Sequence, residues 1–161
     1  MIIETVKEIW NNTIDKVVVG YLVNDSMSVP NEPTNRHYKE IQEWVAQGNT
    51  TAPQYTEEEL AVMAQNEMIT TGERLAKNQV QSIIDKYNED HNVKFENVDS
   101  CFKYTSDSTY SNYQFCVDII AYNIEVWEAC RTIQDDIMNG NIEVPTEEEF
   151  IGLLPVYSGT V

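Results

Sequence analysis

Hydrophobic positions change period along this chain. Over residues 2–30 they fall in short β-type runs, and from residue 35 onward they recur at helical spacing. Residues 2–10 fit two patterns. Ile2, Val6, Ile9 and Trp10, continued by Thr13 and Ile14, suit a helix, while the alternation Val6, Glu8, Trp10 suits a strand. Lys16–Val23 is the clearest strand signal, β-branched and aromatic and ended by Asn24-Asp25. Met27-Ser28-Val29 predicts a very short return strand that Pro30 terminates. The expectation for residues 2–30 is a small β-hairpin or three-stranded meander. A lone hairpin is marginal in water, so it must pack on the first helix or on another chain.

Asn35 is a good N-cap and Gly48-Asn49 a stop, predicting a helix over 35–47 with Tyr38, Ile41, Trp44 and Val45 on its apolar face. Thr50–Tyr55, with Pro53, reads as an extended linker. Thr56 followed by Glu59 is a capping box. It opens a helix running to about Tyr87, with Gly72 as a candidate kink or break. Val93–Tyr104 predicts a short helix capped by Asn97 or Asp99, and Tyr113–Asn139 a long one ended by Gly140. Thr146 and Glu147–Glu149 start a last short helix ended at Leu153-Leu154-Pro155, and Val156–Val161 is a tail that either frays or docks on a neighbour. The whole is expected to be mainly α, a helical bundle with a long central helix and a small N-terminal β element. The expected organisation is a hairpin-plus-helix module over 1–52 and a helical domain over 53–161.

Charge narrows the partners. With a net charge of −17, the chain would be repelled by nucleic-acid backbones and anionic membrane surfaces. No apolar run approaches the roughly 20 residues of a membrane span. The first residues carry no basic stretch leading into an apolar one, so no signal peptide is expected. Cys101, Cys116 and Cys130 form no CxxC and are expected as buried free thiols.

Candidate chemistry is sparse. His37 and His91 stand far apart with no metal or triad spacing. There is no glycine-rich phosphate loop and no nucleophile elbow. The acid runs Glu57–Glu59 and Glu147–Glu149 fall at helix starts, where they complement the dipole. Asp85, Glu89 and Asp90 lack the spacing of a calcium loop. Arg131, four residues after Trp127, is expected to stack on that ring or pair with Asp135 and so to organise the core. No cofactor, metal or enzymatic activity is expected. Amphipathic aromatics are enriched in interfaces, so Tyr38, Ile41, Trp44, Trp10 and Tyr21 are the candidate contact residues.

Within residues 19–50, Val29-Pro30, Asn35, Tyr38, Trp44, Gly48-Asn49-Thr50 and then Pro53 form a pattern. It resembles a segment common in small tailed-bacteriophage proteins, among them tail-fibre-associated and tail-fibre-assembly proteins. The C-terminal pattern of Trp127, Gly140, Pro145-Thr146-Glu147-Glu148-Glu149 and Leu153-Leu154-Pro155 is also similar to the ends of small phage proteins. The resemblance implies a virion structural protein, such as a tail or tail-fibre attachment component, made in the host cytoplasm. A hairpin too small to stand alone and a long, narrow-faced helix add the expectation that it self-associates and contacts other phage structural proteins. The alternative the resemblance implies is a tail-fibre assembly chaperone absent from the particle. It assigns no catalytic residue.

Overall fold

A computed structural model describes residues 2–159. The chain is mainly helical, with one small antiparallel sheet at its start, and it parts at Val62/Met63 into two compact units.

In the first unit, β1 (Val6–Trp10), β2 (Val18–Val23) and β3 (Met27–Pro30) form a meander in the order β1-β2-β3. The two-way pattern of residues 2–10 resolves as strand because Val6 pairs with Val23 and Glu8 with Tyr21 across β1 and β2. This places Val6, Val23 and Val29 on one face, where helix α1 (Arg36–Ala46) covers them with the fully buried Ile41. The weak hairpin is therefore packed on the first helix. Asn35 caps α1 by accepting from the amides of His37 at 2.8 Å and Tyr38 at 3.2 Å.

Residues 51–55 are more than a linker. The Glu8 amide donates to the Ala52 carbonyl and the Ala52 amide to the Val6 carbonyl, both at 2.8 Å, a parallel bridge along the outer side of β1. The Trp10 amide donates to Gln54 Oε1 at 2.6 Å. These bonds tie the segment to the sheet, so the first unit extends past residue 52 into the start of α2 (Glu57–His91). The expected capping box opens that helix: the Glu59 amide donates to Thr56 Oγ1 at 3.1 Å, and the Thr56 amide to Glu59 Oε2 at 2.8 Å.

In the second unit, α2 and α4 (Tyr113–Met138) run antiparallel. Their cross-links step in opposite directions along the two helices. Gln65 bonds the Ile137 carbonyl, Gln134 that of Ile69, Gln79 the Tyr122 hydroxyl, and Tyr87 the Asn112 side chain. Met68, Leu75, Val80 and Ile84 meet Ile119, Val126, Ile133 and Ile137 in one apolar core. Two short helices complete it, α3 (Val98–Phe102) and α5 (Glu147–Leu153).

Gly72 does not break α2, which runs continuously from Glu57 to His91. A Cβ there would lie 2.6 Å from Phe150 Cζ, so the glycine is a notch that admits the buried Phe150 ring of α5. The helix also outlasts Tyr87 by one turn. His91 stacks on Tyr87 with ring centroids 4.1 Å apart, and Asn92 at φ +53° then turns the chain. The helix expected over 93–104 shortens to α3 because the Asn88 side chain holds both the amide and the carbonyl of Phe95 out of helical pairing. Asn97 then caps, sharing a reciprocal box with Ser100. Within the described residues the start of the tail packs on its own unit and not on a neighbour: Tyr122 and Gln79 both donate to the Pro155 carbonyl, and Tyr157 sets its ring edge against Tyr122 at 5.1 Å. Val161 and its neighbour Thr160, the end of that tail, lie outside the described residues.

Candidate functional site

The candidate contact residues divide into two groups, both in the first unit. Tyr21, Tyr38, Ile41 and Trp44 come together. Ile41 is at 0% exposure and belongs wholly to the core, while Tyr21, Tyr38 and Trp44 surround that core half-buried. The helical spacing 38, 41, 44 aims three side chains at the sheet, and only the middle one is short enough to disappear beneath it. Tyr21 reaches up from β2, its ring 6.1 Å from that of Tyr38. Burial pushes the Tyr21 hydroxyl above its ordinary pKa, with Tyr38 and Glu8 adding to the rise and a hydrogen bond with Gln42 opposing it. A shallow depression of about 370 Å³ flanks Trp44, lined also by Ile3, Glu40, Glu43 and Gln47. Glu40 holds its carboxyl below the usual range, chiefly through the Arg36 guanidinium at 3.0 Å.

Trp10 belongs to the second group. Its ring meets Tyr55 edge-on at 6.2 Å, its indole Nε1 donates to Glu8 Oε2 at 3.0 Å, and Lys16 Nζ lies 5.5 Å from the ring centre. The other Glu8 oxygen accepts from Thr51 Oγ1 at 2.9 Å. Tyr55 and Gln54 as partners of Trp10, and Thr51 as partner of Glu8, were not legible, since it is the pairing of Ala52 with β1 that brings their segment alongside the strand.

The histidines are separate. His37 lies beside Glu40 at 3.4 Å on α1, and His91 is stacked on Tyr87 in the second unit. Cys101, Cys116 and Cys130 are buried free thiols, and burial raises the pKa of each, that of Cys101 to about 12. Arg131 is exposed, and among the described residues no ion pair or cation–π contact joins it to Asp135 or Trp127. The core-organising role expected of it is corrected: its stretch of α4 turns Cys130 and Ile133 inward and Arg131 out. The buried polar contact in this core is instead Asn112, which accepts from the Tyr87 hydroxyl at 2.8 Å and donates to Tyr110 at 3.2 Å.

Among the described residues no cluster of histidine, cysteine or carboxylate side chains could hold a metal ion. None of the described helices is long and apolar enough to cross a membrane. No family model, curated protein or solved structure matches the chain.

Proposed function

We propose that this chain is a protein–protein assembly component and not an enzyme. More particularly, we read it as a structural protein of a tailed-bacteriophage virion, made in the host cytoplasm and placed at a tail or tail-fibre attachment point. There it would self-associate and contact other phage structural proteins. The observation that carries this reading is the half-exposed aromatic group Tyr21, Tyr38 and Trp44 around the buried Ile41. Such rings offer large contact area at small entropy cost, the composition that anchors interfaces. They lie on the segment, residues 19–50, that resembles phage tail-associated proteins. The occurrence of that segment in tail-fibre-assembly proteins supports a second reading, a chaperone that leaves the finished fibre.

Light scattering on the eluting protein tests the first reading, and a monomer with no tendency to associate at any concentration would refute self-association. Mass spectrometry of purified particles separates the two, since a virion component is present in stoichiometric amount and a chaperone is absent.

A further inference from the structure

The second unit carries an apolar groove beside α5. That helix commits only Phe150 and the following Leu154 to the core, and leaves Leu153 53% exposed. The segment leading into it, 142–145, adds Ile142 and Val144, each 38% exposed. Ile142, Val144, Pro145 and Leu153 line a cleft of about 400 Å³ with Glu143 and Glu149 at its edge. The residues that line it include two glutamates and no lysine or arginine, and Arg74 is engaged with Glu147 at 2.8 Å, so the rim is negative.

We propose that this groove receives a basic amphipathic helical segment of a different protein. Its apolar side chains at i, i+3 and i+4 would fill the cleft between Val144 and Leu153, and its lysines or arginines would face Glu143 and Glu149. The charge of the chain selects this occupant. A second copy carries 27 acids against 10 basic residues, so its net negative charge opposes its approach to this rim, whereas a basic segment is drawn to it. The groove uses residues of the second unit alone, and the inference stands independently of the virion reading.

The test is fluorescence anisotropy of the full chain titrated with a labelled peptide of about 15 residues, long enough to be helical when bound, built of leucine and lysine in amphipathic order. Its Leu/Glu counterpart and a scrambled Leu/Lys peptide serve as controls. The Leu/Lys peptide is expected to bind and both controls to fail. Leu153→Ser, at an exposed position, should weaken binding by about tenfold or more. Ile14→Ser, at an exposed residue of the first unit, should leave it unchanged. Four results overturn the proposal: no binding of the Leu/Lys peptide, equal binding of the scrambled peptide, affinity indifferent to Leu153→Ser, or self-association of the wild type that Leu153→Ser abolishes. The last identifies a second copy as the occupant. None of these outcomes bears on whether the protein is found in particles.

Discussion

Gly72→Ala separates two opposing effects of one methyl group. Alanine in a helix interior is favoured over glycine by about 1 kcal/mol. At this site the added Cβ would stand 2.6 Å from Phe150 Cζ and 2.7 Å from Cε2, and that ring is at 0% exposure with nowhere to swing. Relieving the clash means displacing a packed ring by about 1 Å, an overpacking cost of about 1–3 kcal/mol. The net expectation is a loss of about 1 kcal/mol. The same substitution in a Phe150→Ala background meets no ring, and only the helix preference remains, so it should stabilise by about 1 kcal/mol. Phe150→Ala alone should cost about 3–5 kcal/mol. The coupling between the two sites is then roughly 2 kcal/mol, well above the scatter of independent positions. Urea unfolding of the four proteins followed by circular dichroism reads this as midpoint shifts at constant slope. If Gly72→Ala has the same sign in both backgrounds, the notch is not what keeps glycine there.

Four further outcomes follow from the same structure. Trp44→Ala should destabilise by about 2 kcal/mol, below the 3–5 of a fully buried tryptophan because the ring is half-exposed, and it should reduce association measured by light scattering. Asn112→Ala strands the buried Tyr87 hydroxyl and should cost about 1–3 kcal/mol, partly recovered by Tyr87→Phe in the same chain, as thermal unfolding would show. All three thiols should resist a thiol reagent at pH 8 in the native protein and react together after denaturation, which absorbance of the released chromophore follows. Glu149 has its pKa lowered by the Thr146 backbone amide and hydroxyl, so its contribution is complete above the ordinary carboxylate range and lost as pH falls through the lowered value. Thr146→Ala should cost about 1 kcal/mol at neutral pH and flatten that acid-side decline in a pH series of melts.

What the sequence revealed was what acts over a few residues. Asn35, Thr56 and Thr146 satisfy amides two or three positions on, so their helices begin where the cap says, with first-turn acids marking the latter two as well. Asn97 was likewise visible as a cap, though the helix it opens is short because Asn88 claims Phe95 first. The elements misread or left open are those whose reason lies far along the chain. Gly72 looks like a weak point until Phe150 is placed against it. Residues 51–55 look like linker until Ala52 is seen pairing beside Lys7 of β1. Residues 2–10 keep both periods until Val23 and Tyr21 are set opposite them. In the candidate surface, the apolar spacing of α1 was visible, but which of Tyr38, Ile41 and Trp44 would be covered depended on the sheet beneath. Trp10 left the group because its neighbours arrive from beyond α1.

The borders of the small sheet bear on how the protein can join others. On β1 the outward amides of Glu8 and Trp10 are already taken, by Ala52 and by the Gln54 side chain. On the far side, β3 is four residues long and ends in Pro30, which has no amide to give. Donor-strand exchange, amyloid-like stacking and capture of an extended peptide all begin at a vacant main-chain edge; β1 is occupied there, and β3 offers only a short one. A complex built on this unit is therefore expected to be knit mainly by side chains. Its selectivity is written in rings and charges that single substitutions can erase, and it can come apart without unravelling a sheet.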